Sequence, residues 1–302
     1  MPHARRNALI LLHVSVFIWG WTGILGKLIQ QPVGHLVFTR TLIGLAGLVA
    51  VGLVMRKPIG PGTPELWKYL GTGLIIAVHW ITFYGAIKIG SASIAAACLS
   101  TSTVFTAILE PFWFKRRIRS YEVVLGLIVV AALLLIFGLE SGHRTAIVVA
   151  TLSALLSAWF NTINGVLVKR DDALRIGLYE MAGALAVVGI WLAATKDPPP
   201  ALWELPARDL IGQLVLGLVC TTFAFLAGIV VMKQLTPFTV MLAVNLEPVY
   251  TILIALLLWP ESERLHTGSY LGIALILLCL FGNGWLQRRT LKNADGPAVL
   301  TE

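Results

Sequence analysis

The chain has 302 residues, of which 57% are Ala, Val, Ile, Leu, Met, Phe, Trp, Tyr or Cys and only 13% are charged, against roughly 25% in an ordinary soluble domain. With a mean hydropathy of +0.84, so thin a polar skin excludes a soluble globular fold, a disordered chain, a collagen-like repeat and a small disulfide scaffold, and leaves an integral membrane protein. The net charge of +8 implies no nucleic-acid partner, because excess Lys and Arg in such a chain collect in cytoplasmic loops.

A bilayer core of ~30 Å takes about 20 apolar residues in a helix. Cutting the chain at its polar, Pro and charged clusters leaves ten such stretches, at approximately 8–26, 34–54, 69–87, 91–109, 121–139, 145–167, 175–195, 209–232, 236–258 and 268–286. A β-barrel would show short alternating segments instead. Arg5 and Arg6 precede the first stretch as they would in a signal peptide. That stretch is too long for one, though, and ends in Trp19-Gly20-Trp21 and Lys27 without a small-residue cleavage site, so it is a transmembrane helix. Short turns, Lys88-Ile89-Gly90-Ser91 and Lys233-Gln234-Leu235-Thr236-Pro237, separate some neighbours. The three cysteines, Cys98, Cys220 and Cys279, each fall inside an apolar run without metal-ligand spacing and read as small core residues.

Placing the N-terminus inside puts 16 of the 23 Lys and Arg residues in inner segments and 6 in outer loops, leaving Arg40 within a span. A reversed or nine-span arrangement scrambles that split, so both termini are expected to be cytoplasmic.

Ten spans divide into two halves of five, which an odd number turns into opposite orientations: residues 1–140, residues 141–290, and a cytoplasmic tail 291–302. Weak internal matches support the duplication. A shift of 142 lays Gly23 and Lys27 on Gly165 and Lys169, and Trp19 on Asn161. A shift of 145 lays Lys88 on Lys233 and Val104-Phe105-Thr106 on Val249-Tyr250-Thr251. Leu-Glu-Pro recurs at 109–111 and 246–248, but that offset of 137 is out of register and reads as coincidence. Inverted repeats are how many secondary transporters build two alternately open states around one central site.

Trp19-Gly20 in the first span, Asn245-Leu246-Glu247-Pro248-Val249-Tyr250 in the ninth and Leu257-Leu258-Trp259-Pro260-Glu261 at its exit resemble the drug/metabolite transporter superfamily, and within it the EamA-type bacterial permeases. The resemblance runs from about residue 8 to 288. It implies an all-α, multi-pass protein of the inner (plasma) membrane that moves a small metabolite such as an amino acid, mostly outward, without a cofactor. Drug efflux by the same fold is an alternative, as is an intramembrane enzyme acting on a lipid-linked substrate. Monomer and homodimer both remain open.

Ionisable groups at membrane depth cost ~2.5–3.5 kcal/mol by insertion scales and need a reason. Arg40 is about six residues from the outer end of its span. It either holds a substrate carboxylate or snorkels to the outer headgroups, ~9 Å away and close to an arginine's reach. Glu247 is near the midplane beside Pro248, where a freed carbonyl and a carboxylate suit a substrate or proton site; a helix-locking pair is the alternative. His79 sits mid-span among Trp80, Phe83 and Tyr84 as a hydrogen-bonding or proton-coupling group, or as a satisfied interhelical histidine.

Asn161, Asn164 and Asn245 are buried amides of the kind that join helices. Asn161 nonetheless aligns with Trp19, so the two are expected to face one cavity from opposite halves. The candidate substrate site is therefore Trp19, Arg40, His79, Phe83, Asn161, Asn245 and Glu247, with His79 and Glu247 as candidate proton-coupling groups. The hydroxyl run Ser100-Thr101-Ser102-Thr103 is expected on the cavity wall. Trp19, Trp21, Trp80 and Trp159 are deep enough to line it, while Trp67, Trp203, Trp259 and Trp285 read as interface belts. Glu180 reads as an acid near the cytoplasmic start of its helix and, with Glu110, is the only acidic pair a lipid-modifying enzyme would have. No motif of nucleophilic, phosphate-binding or metal chemistry occurs.

Overall fold

The computed structural model describes residues 2–57, 59–60, 64–115, 120–244 and 246–294, and all regular structure among them is helical. The first half contains α1 (Pro2–Leu28), α2 (Val33–Val54), α3 (Leu66–Ile89), α4 (Ala92–Leu99), α5 (Ser102–Phe114) and α6 (Ser120–Leu139). The second contains α7 (Arg144–Leu167), α8 (Ala173–Ala194), α9 (Ala207–Leu214), a π-helical segment Val215–Phe223, α10 (Ala224–Val231), α11 (Pro237–Val244), α12 (Leu246–Leu258) and α13 (Thr267–Ala294). Among the described residues eight helical stretches are long and apolar enough to cross a membrane, and Leu127–Ile136 and Thr267–Cys279 are shorter apolar stretches.

The duplication that few identities record is plain in the element lengths. Helices α2 and α8 each have 22 residues, α4 and α11 each have 8, and α5 and α12 each have 13. Even the stops correspond. Beyond α2, Arg56 (φ 51°), and beyond α8, Lys196 (φ 54°), take the left-handed conformation. The next amide then reaches back to close the last turn, Lys57 N to Gly52 O at 2.9 Å and Asp197 N to Leu192 O at 3.0 Å, with a basic residue at the negative end of the helix. In this register Glu110 is the ninth residue of α5 and Glu247 the second of α12, so the two Leu-Glu-Pro stretches are not equivalents.

The halves interlock. Helix α2 packs on α8 and α6 on α13, each against its counterpart; α1 packs on α10 and α12, and its counterpart α7 on α3, α4 and α5. Small residues permit the closest crossings. A Cβ on Gly73 of α3 would run into the backbone of Glu180 and Ala184 on α8, and one on Gly183 would lie 2.5 Å from Leu70 O. With lipid as solvent, such close backbone packing supplies the attraction that water supplies elsewhere.

Polar ties close both ends of the bundle. At one end the Glu263 carboxylate, fully buried, takes Lys27 Nζ at 2.6 Å and the Ser93 and Ala92 amides at 2.8 and 3.2 Å. Lys27 also lies 4.6 Å over the Trp259 ring, which therefore has a cation partner beyond its place near the interface. Burial alone would raise the Glu263 pKa, but the Lys27 ammonium and these N–H groups outweigh it and hold the carboxyl below its ordinary range. At the other end Lys57 meets Asp172 at 2.7 Å, Arg175 meets Asp171 at 2.9 Å, and Tyr69 donates to Asp171 at 2.9 Å. Asp172 also caps α8 by accepting Leu174 N at 2.9 Å.

Candidate functional site

Between the halves lies an open cavity, about 680 Å³ with its mouth included. Its wall draws on α1, α2, α3, α4, α7, α10, α11 and α12. Six residues that the sequence singles out, Trp19, Arg40, His79, Phe83, Asn161 and Glu247, line it together. The seventh, Asn245, lies outside the described residues. Trp19 and Asn161, the repeat-related pair, thus share one cavity.

Arg40 does not snorkel. It is 3% exposed, its Nε donates to Thr221 Oγ1 at 2.9 Å and its Nη1 to the Tyr84 hydroxyl at 2.5 Å, and the guanidinium carbon sits 4.0 Å over the Trp80 ring. Neutral acceptors and a π face orient the cation without neutralising it. The π segment makes this possible. Its wider turn lets Thr221 and Thr222 return their hydroxyls to the carbonyls five residues back, at 2.8 and 3.0 Å, while Thr221 also accepts from Arg40. Trp19 Nε1 donates to Cys220 O of the same segment at 3.2 Å. Glycines make room: a Cβ on Gly44 would lie 2.7 Å from Thr221, and one on Gly228 would lie 2.8 Å from the Trp19 ring. Sequence reading misses this segment, because a one-residue change of helical register leaves no compositional trace.

His79 is fixed by Ser153. Its Nδ1 lies 2.9 Å from Ser153 O and 2.8 Å from Ser153 Oγ, and that hydroxyl donates to His79 O at 3.0 Å. The carbonyl requires the proton on Nδ1, which leaves Nε2 as the acceptor of the ring. Phe83 and Phe160 flank it, with centroids 6.2 and 5.4 Å away. Asn161 donates to Ser157 O at 2.9 Å. Glu247, 7% exposed, brings a carboxylate to the same cavity, and no ion pair within 4.0 Å joins it to Arg40.

Three expectations are corrected. The run Ser100–Thr103 is buried but does not line the cavity. Ser100 and Thr101 turn their hydroxyls back to Ala97 O and Cys98 O at 2.5 and 2.6 Å, and Thr103 donates to Met241 O at 3.1 Å, with the break between α4 and α5 falling at Ser100-Thr101. Hydroxyls in helices satisfy themselves on the preceding turn, so depth alone does not make them wall residues. Trp21 and Trp159 are 39% and 41% exposed and face outward; position along a span gives depth, not angle. Glu180 is no interfacial acid. It is completely buried and accepts Asn164 Nδ2 at 3.3 Å, and Asn164 itself lines the cavity. Thr22, Trp80, Ser157, Phe160 and Phe225 also line the cavity; of these the sequence marks only Trp80.

Comparison with known proteins agrees with the architecture. The model of the EamA-like transporter family matches the chain twice, over residues 6–138 and 144–285. No curated protein matches in sequence. Twenty-eight chains of solved structures match. One, described only as "Crystal structure of protein", superposes with a TM-score of 0.70 at 15% identity, over 93% of this chain and 99% of that one, a likeness of fold. Two matches, each spanning one of the interlocked halves and together nearly the whole chain, place it in a family: the chain belongs to the EamA-like transporters of the drug/metabolite type.

Proposed function

We propose that the protein is a secondary transporter of a small zwitterionic metabolite, an amino acid or close relative, which it moves outward across the inner (plasma) membrane by alternating access at the cavity between its halves. In this reading ten helices form two inverted repeats with both termini in the cytoplasm, and the end bearing Lys57, Lys68, Arg170 and Arg175 faces the cytoplasm, in keeping with the distribution of basic residues. The observation that carries the proposal is that one cavity holds a guanidinium and a carboxylate without an ion pair between them. A zwitterion would meet both, its carboxylate at Arg40 and its ammonium at Glu247, with the aromatic wall taking its side chain and the Nε2 of His79 accepting a further hydrogen bond. Enzyme chemistry on a lipid-linked substrate gains nothing from Glu180, which is sealed from any headgroup.

Counterflow in proteoliposomes tests this. Labelled zwitterionic amino acids should exchange, and analogues lacking either the carboxylate or the amino group should compete at least tenfold less well. Equal competition by uncharged apolar drugs would favour drug efflux instead.

A further inference from the structure

Glu180 stands apart from the groups just assigned. Its backbone lies at a close crossing, where Gly73 and Gly183 bring α3 and α8 into contact, and its fully buried side chain reaches Asn164 of α7. One carboxyl oxygen, Oε2, accepts from Asn164 Nδ2 at 3.3 Å. The other, Oε1, is buried without a hydrogen-bond partner, and so is Asn164 Oδ1. Two orphaned acceptors on an acid and an amide that already share one hydrogen bond are what a single missing proton would satisfy. A neutral carboxyl donates O–H from Oε1 to Asn164 Oδ1 while Oε2 keeps the Asn164 N–H, closing a reciprocal acid–amide pair.

Among the described residues no cation replaces that proton. On α2, Arg40 is engaged with Tyr84 and Thr221, and His35 lies 3.2 Å from Asp197. On α3, Lys68 pairs with Glu65, Tyr69 bonds to Asp171, His79 to Ser153, and Lys88 to Ile29 O. Helix α10 carries no titratable group, and the Arg144 of α7 is twenty residues from Asn164. On α8 itself Arg175 pairs with Asp171 and Tyr179 bonds to Ile59 O.

We propose that Glu180 and Asn164 form a proton-binding site behind the cavity wall, occupied in the arrangement described here and discharged through Asn164. Asn164 belongs to both the pair and the wall. When its amide turns to cavity water or to a bound solute, the Glu180 O–H loses its acceptor and faces water. The O–H bond then breaks, the proton passes to water, and a carboxylate remains, which takes the Asn164 N–H again when the amide returns. The use of this proton in transport rests on the function proposed above; its presence does not.

Infrared spectroscopy of the purified protein in lipid, without ligand, reads the site directly. At about pH 7, where an ordinary glutamate is ionised, the wild type should show the carbonyl stretch of a hydrogen-bonded carboxylic acid. That band should disappear in Glu180→Gln and persist in Glu247→Gln. In Asn164→Leu, which keeps the glutamate and covers the case of a misfolded Glu180→Gln, it should move to the frequency of an acid without an amide partner. A wild-type spectrum without the band, or one that neither Glu180→Gln nor Asn164→Leu alters, overturns the proposal. Counterflow by Asn161→Leu separates the two claims. Loss of counterflow in Asn161→Leu together with a band that neither Glu180→Gln nor Asn164→Leu alters refutes only the proton site, and wild-type counterflow in Asn161→Leu with a band lost in Glu180→Gln refutes only the transport reading.

Discussion

Of the buried glutamates, Glu247 and Glu180 make the sharpest contrast, and their surroundings divide the labour. Glu247 opens on the cavity that also holds Arg40, at the second residue of α12. Glu180 sits behind that wall, beside the crossing of α3 and α8, with an amide for its only hydrogen-bond partner among the described residues. The difference teaches that burial alone does not define a role. A carboxylate beside open space and near an unneutralised cation is presented to a solute, whereas one pressed between two helix backbones is stable chiefly as a neutral acid.

The comparison can be broken most forcefully from the side of the cation. Replacing Arg40 by Ala should lower counterflow of zwitterionic amino acids by about 100-fold or more, since losing a charge-assisted pair in a desolvated site costs ~2–5 kcal/mol. Lys should not rescue it, because a point charge cannot hold Thr221, Tyr84 and the Trp80 face at once. Glu247→Gln should weaken zwitterion binding by roughly tenfold, ~1.4 kcal/mol, in ligand-dependent thermal shift, and leave carboxylates that lack an amino group unaffected. Glu180→Gln, which mimics the neutral pair, should change the same affinity by less than about threefold; an effect as large as that of Glu247→Gln would erase the distinction.

The seal over Glu180 is tested by Gly73→Val. Its side chain would meet the backbone of Glu180 and Ala184, and overpacking of this kind costs ~1–3 kcal/mol, read as a lowered thermal unfolding midpoint. Glu263 supplies the smallest effect and a control outside the membrane spans. Because its folded pKa is depressed, its stabilisation is complete above the unfolded glutamate value of ~4.3 and is lost as pH falls through the lower folded value. Glu263→Gln should lower the unfolding midpoint by a few degrees at neutral pH and flatten this acid-induced decline.

What the sequence made legible follows from cost. Arg40, His79 and Glu247 stood out because ionisable groups in apolar spans need a reason, and all three share one cavity. Trp19 and Asn161 came from the register of the duplication, and both line the cavity. What stayed hidden is angular or conformational. Trp80 and Trp159 are both mid-span tryptophans, yet one stacks under Arg40 and the other faces outward. The π segment that supplies Thr221 and the Cys220 carbonyl depends on how it packs against α1 and α2, which no local pattern records. Glu180 was misplaced because nearness to a helix start says nothing of the Gly73–Gly183 crossing that buries it.

The central claim is that one cavity opens to each side of the membrane in turn. Asn161→Cys, in a background with the buried Cys98, Cys220 and Cys279 replaced by Ala, places a single thiol on its wall. In sealed vesicles of both orientations, an impermeant thiol reagent should modify this position from either side, and a bound zwitterionic amino acid should slow both reactions. Modification confined to one side whatever the ligand would contradict alternating access at this site.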